Sequence, residues 1–205
     1  FESQKKNYEF RQNTTSSFLG SSSFSGPLGE GADYSYFKNQ FFLEFNSKYI
    51  LGTFRVKSAL MRYSYGYGEI INQNSGISTI KLEGKAASFG ADWKAKLKTF
   101  QLDATGEITP GSGRLSGTNL VGNLSYKKDS LFHIKASLLL NSKSPNFNYL
   151  LHHSSYNEYN WENDFDNIRT QNLGFSFNSK WIQSQITLTN IENYCYFGED
   201  NLPYQ

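Results

Sequence analysis

With 205 residues and a formal net charge of +2, the chain has about the length of one domain and no strong charge bias. No Lys/Arg block exceeds two residues, which argues against a nucleic-acid partner. At 38% apolar, with no run near the ~18 apolar residues that a helix needs to cross a bilayer, the sequence excludes a helical membrane protein. A membrane barrel stays open, because each of its strands gives only alternate residues to lipid. The 17 Phe, 14 Tyr and 3 Trp are the unusual term, and Tyr is a residue expected in interfacial girdles. Cys195 stands alone and reads as a packing residue. The chain opens at Phe1 without a recognisable signal peptide, the expectation for a mature or partial chain.

Taken in order, the chain alternates with period two almost throughout, the signature of half-buried strands. Residues 6–11 suggest a first strand. From Phe37 to Phe45 the odd positions are mainly apolar, with Lys38 and Glu44 on the other face. A second run sets Ile50, Phe54, Val56 and Leu60 against Arg55 and Lys57. Tyr63, Tyr65 and Tyr67 then continue on the opposite phase, which predicts a bulge near Met61–Arg62. The third run sets Ile80, Leu82, Gly84 and Ala86 against Lys81, Glu83 and Lys85, changes phase, and continues with Phe89 and Trp93 against Asp92 and Lys94. Phe100, Leu102, Ala104 and Ile108 oppose Asp103 and Glu107. Further runs follow at residues 119–126, 132–140, 147–152, 173–178 and 182–189.

Most of these runs last about 9–11 residues, the length a tilted strand needs to cross the hydrocarbon layer. Strands of soluble domains average nearer 5–6. Short Lys-containing links at residues 46–49, 96–98, 127–130 and 179–181 alternate with longer Gly/Ser/Asn-rich ones at 64–76 and 109–114. One rim of tight turns and one of loops is what a membrane barrel presents. After residue 141 the alternation weakens, and the 156–169 segment falls on the short-turn side. A missed strand or an inserted structure would explain that. The expected fold is therefore all-β: an antiparallel, up-and-down transmembrane β-barrel of about nine or ten strands, with no second domain. So few strands leave a lumen filled by side chains. Residues 1–205 are expected to be a single β-barrel domain or part of one, a small barrel that conducts nothing or, the favoured expectation, a piece of a larger closed barrel.

On this reading Lys38, Glu44, Arg55, Lys57, Lys81, Glu83, Lys85, Asp92, Lys94, Asp103 and Glu107 face the lumen. Mixed signs there favour cross-strand ladders over strong ion selectivity. Tyr63, Tyr65, Trp93, Tyr156, Tyr159, Trp161 and Trp181 are the expected membrane-interface aromatics, with a sugar-stacking loop as the other reading of Tyr156, Tyr159 and Trp161. Catalysis finds no motif: there is no G-x-S-x-G, H-E-x-x-H or C-x-x-C. His152 and His153 would point to opposite faces of a strand, so they do not make a joint metal site. Glu158, Glu162, Asp164 and Asp166 lack the spacing of a calcium loop. No cofactor and no metal is expected.

Three motifs carry a family resemblance: Y-N-x-Y-N-W at Tyr156–Trp161, T-Q-N-L at Thr170–Leu173, and T-N-I-x-N-Y at Thr189–Tyr194. Together they make residues 147–197 resemble the putative porin family of the Bacteroidetes outer membrane. The resemblance implies a large single-chain barrel in the cell outer membrane, in contact with its lipid, and a channel role. It implies no catalytic or binding residues. Passive diffusion of small solutes is the leading expectation. The alternative is a non-conducting barrel subunit or scaffold, with partner subunits in an outer-membrane protein complex. A soluble β-sandwich or lipocalin-like carrier is the third.

Overall fold

The computed structural model describes residues 1–23, 27–46, 51–67, 70–72, 76–78, 80–128 and 132–205. Among these residues nine strands form one sheet: β1 (Glu2–Gln12), β2 (Leu28–Asn46), β3 (Thr53–Tyr67), β4 (Lys81–Leu97), β5 (Phe100–Thr109), β6 (Gly117–Lys128), β7 (Phe132–Lys143), β8 (Ile168–Ser179) and β9 (Gln183–Glu192). Each pairs antiparallel with its neighbours in sequence, so spatial order is chain order. Among the described residues β1 and β9 are the two edges, and the sheet is not closed.

Connections alternate strictly. At one end β4 turns into β5 through Lys98-Thr99, where Lys98 adopts a φ of 52°. Backbone of that hand suits a two-residue hairpin. β8 turns into β9 there through residues 180–182. The tight turns expected at 46–49 and 127–130 reach beyond the described residues, as does the loop expected at 64–76. At the other end lie the long connections 13–27, 68–80, 110–116 and 144–167.

Two expectations change. The run at 147–152 is not a strand of the sheet. Ser144, Pro145 and Asn146 are turn-forming residues, Asn146 precedes a short helix at Phe147–Leu150, and only the pair Leu151–His152 then bridges to Trp161–Glu162. The whole of 144–167 is thus one connection on the long-loop side, which restores the alternation. No bulge interrupts β3 either: its register runs unbroken from Thr53↔Lys94 to Gly66↔Lys81. What changes along β3 is the chemistry of its faces.

The sheet curls. Lys38 of β2 reaches Glu107 of β5 at 3.6 Å, although a flat sheet would hold strands three apart at ~14 Å. The face carrying Lys38 and Glu107 is the concave one. Connection 144–167 folds back over that face at the long-loop end and creates the buried core there. Leu150 and Leu151 are 0% and 1% exposed, and Leu151 packs with Tyr65 and Tyr67. Full burial of each leucine contributes roughly 1.5–3 kcal/mol.

Candidate functional site: two faces and an infolded loop

Register assigns every strand residue to a face. On the concave face stand Lys38, Glu44, Arg55, Lys57, Asp92, Lys94, Asp103 and Glu107. Six of them form a ladder across four strands. Arg55 holds Glu44 through two nitrogens, at 2.7 and 3.2 Å, and lies 4.7 Å over the ring of Phe42. Lys57 lies 2.9 Å from Asp92 and 3.6 Å from Glu107, which Lys38 also approaches. Thr105 donates to Asp92 at 2.9 Å and Ser88 to Glu107 at 2.8 Å. Charge-assisted bonds of this kind are about twice as strong as neutral ones, and here they tie β2 to β5 side by side.

Lys81, Glu83 and Lys85 are on the opposite, convex face, contrary to expectation. The reason is steric. Gly84 and Ala86 occupy the concave face because Tyr63 and Met61 stand across from them; a Cβ on Gly84 would lie 2.9 Å from the Tyr63 ring. Small residues that read as lipid-facing are gaps left for tyrosines.

The convex face divides into two zones. Toward the short turns it carries Phe41, Leu43 and Phe45 of β2, Phe54, Val56 and Leu60 of β3, and Phe89 and Trp93 of β4. The zone continues through Leu102, Leu124, Leu138, Phe175 and Ile186 to β9. Among the described residues this zone contains no Asp, Glu, Lys or Arg short of Lys128, which stands opposite Phe132 at its short-turn border, and its side chains are open: Phe41 is 65% and Leu188 65% exposed. Toward the long loops the same face turns polar, with Asp33, Arg62, Lys81, Glu83, Lys85, Arg169 and Glu192. A row of rings marks the short-turn border. Phe100, Tyr126, Phe132 and Phe177 follow one another at centroid distances of 4.7, 5.8 and 6.2 Å. In the sequence these four are ordinary strand residues; their shared level appears only once the register is known.

The expected interfacial aromatics scatter. Trp93 lies on the convex apolar zone, its indole N–H donating to the Leu51 carbonyl at 2.8 Å. Trp181 sits in the β8–β9 turn, 82% exposed. Tyr63 and Tyr65 are instead concave and buried, because Phe147 stacks on both at 5.1 and 5.3 Å and also meets Tyr34 at 5.8 Å. Tyr156, 2% exposed, is a clasp between connections: its hydroxyl donates to Gln12 and accepts from the Ser16 amide. Trp161 stacks on His152 at 4.6 Å and donates to the Asn148 carbonyl. Tyr159 remains in the same connection, half-buried. These three sit on the long-loop side because the whole 144–167 segment does.

Further contacts fasten the infolded segment. Glu30 accepts from the Ser154 hydroxyl at 3.0 Å and the Ser155 amide at 2.6 Å. His152 Nδ1 lies 2.6 Å from the Tyr67 hydroxyl. Burial holds the His152 pKa below its ordinary value, with Glu30 opposing and His153 adding to the shift. Among the described residues no cluster of three His, Cys, Asp or Glu is placed to hold a metal.

Residues 1–205 match the model of the protein family described as Putative porin. The chain belongs to that family. Family membership carries a porin-like, outer-membrane character with it, and the all-β antiparallel sheet agrees. No curated protein and no solved structure matches the chain.

Proposed function

We propose that the chain builds a wall of an outer-membrane β-barrel through which small solutes diffuse passively. The observation that carries the reading is the pairing of a charge-free apolar zone on the convex face with a charged ladder on the concave face of the same strands. From Phe100 to Ile108 that zone covers ~26 Å along β5, or ~20 Å at a 40° tilt, against an apolar band of ~25 Å in such barrels. An exposed apolar surface of this extent marks a contact with a partner or a membrane. Lipid gives it one, and the Phe100–Phe177 row supplies an aromatic border.

Closure sets a condition. β1 and β9 run in the same direction, so an antiparallel barrel takes an odd number of further strands between them. In lipid an open edge costs several kcal/mol per unpaired backbone group, which makes the closed form the functional one. Connection 144–167, folded against the concave face, then narrows the lumen at the long-loop mouth.

Planar-bilayer recording on the protein inserted from detergent tests the reading. Stepwise single-channel currents are expected, and a silent membrane overturns passive diffusion. The infolded connection also favours a second reading, a non-conducting barrel that serves partner subunits of an outer-membrane complex. Silence together with heat-modifiable gel migration would select it.

A further inference from the structure

A cavity of about 920 Å3 opens on the concave face beneath the infolded connection, within the range of small-molecule sites. Among the described residues three cations line it, Lys6, Arg114 and Lys143, against one carboxylate, Glu107. That carboxylate is already engaged by Lys38, Lys57 and Ser88. Arg114 donates to the Asn163 carbonyl at 3.2 Å and has Asp164 at 3.0 Å, but the Asp164 side chain is 96% exposed, and pairs of that kind hold weakly. Among the described residues Lys6 and Lys143 form no ion pair. The wall is therefore cationic in a lumen whose ladder is otherwise balanced.

Its other components are equally specific. Tyr8, Tyr34 and Phe147 present ring surface to the cavity, and Tyr8 is 59% exposed. Asn141 donates to Asn119 at 3.1 Å, which leaves the second Asn141 hydrogen and the Asn119 amino group to serve a ligand. Aromatic faces suit the C–H face of a hydroxylated ring, amides suit its hydroxyls, and the lysines suit an acidic substituent.

We infer that this cavity is a binding site for an anionic, hydroxylated ring solute, the chemistry shared by sugar acids and sugar phosphates. It is a recognition step at the mouth, and it rests on the reading that the concave face is the aqueous one. Lys6, Lys143 and Arg114 hold the acid group, and Tyr34 and Phe147 flank the ring. Glu107 is kept from repelling the ligand by its own two lysines.

Isothermal titration of the full chain in detergent micelles tests the site with three probes: glucuronate, glucose 6-phosphate and glucose. Both anions are expected to bind about tenfold more tightly than glucose, with the preference fading as salt rises. Whichever anion binds more tightly identifies the acid group preferred. Lys6→Gln and Lys143→Gln should each weaken the anions roughly two- to fivefold and leave glucose unchanged. Lys143→Arg should retain binding, which separates lost charge from lost fold. Equal binding of all three probes, or none, overturns the proposal. Conduction is scored separately: binding with a silent bilayer sinks the transport reading alone, and currents without anion binding sink this site alone.

Discussion

The two ends of the same strands are built to opposite rules. Toward the short turns the convex side is apolar and the concave side is a ladder of charges. Toward the long loops the convex side is charged, and the concave side is a set of tyrosines covered by Phe147 and Leu151. A strand facing one environment throughout would keep one pattern. β3 and β4 keep their register and exchange their chemistry, so the surroundings change along their length. A strand that leaves a bilayer and continues into water under a folded-in loop would do this.

Four tests break or sharpen that contrast. The largest effect is expected from Leu138→Arg, in the middle of the apolar zone. It should cost about 2–4 kcal/mol in vesicle-inserted protein by denaturant titration. Glu83→Arg, on the same face beyond the zone, should stay within about 0.5 kcal/mol. Equal costs would erase the boundary. Next comes Phe147→Ala. It removes a half-buried ring from Tyr63, Tyr65 and Tyr34 and should release connection 144–167 at a cost of about 2 kcal/mol, read as faster amide exchange at Leu150 and Leu151. Loss of exchange protection in the β5–β6 pairing instead would place the effect in the wrong half.

Lys57→Met leaves Asp92 and Glu107 short of a cation, and about 1–2 kcal/mol should be lost. The double change Lys57→Met with Asp92→Asn should recover part of it, the signature of coupled partners. The smallest effect is pH-dependent. Burial disfavours the charged form of His152, so below its ordinary value of 6.5 the released connection takes up a proton first. Stability of the infolded segment is full above that value and falls as pH drops through the lower folded value. Exchange protection at Leu150 and Leu151 should follow this curve, and His152→Gln should flatten it.

Much of this fold could be read from alternation alone, because one apolar and one polar face per strand is written directly into odd and even positions. The runs at 37–45, 100–108 and 132–140 lie inside strands of the sheet. Period-two reasoning failed where both faces held similar residues. Lys81, Glu83 and Lys85 beside Leu82 and Gly84 look like a lumen-facing row, and only the tyrosines opposite show why the small residues point inward. Phe147, Tyr149 and Leu151 alternate as a strand does, and Pro145 was the available warning. The cavity could not be read at all. Lys6, Arg114 and Lys143 lie far apart in the chain and meet only because the sheet curls and a loop turns in.

The central claim is that the convex zone meets lipid while the concave face meets water. Spin labels placed singly along β5 from residue 100 to 108, in a Cys195→Ser background in vesicles, test it most directly. Labels at Phe100, Leu102, Ala104 and Ile108 should collide with dissolved oxygen, and those at Gln101, Asp103, Thr105 and Glu107 with a water-soluble nickel chelate, in strict alternation. Chelate access at all positions alike would contradict it.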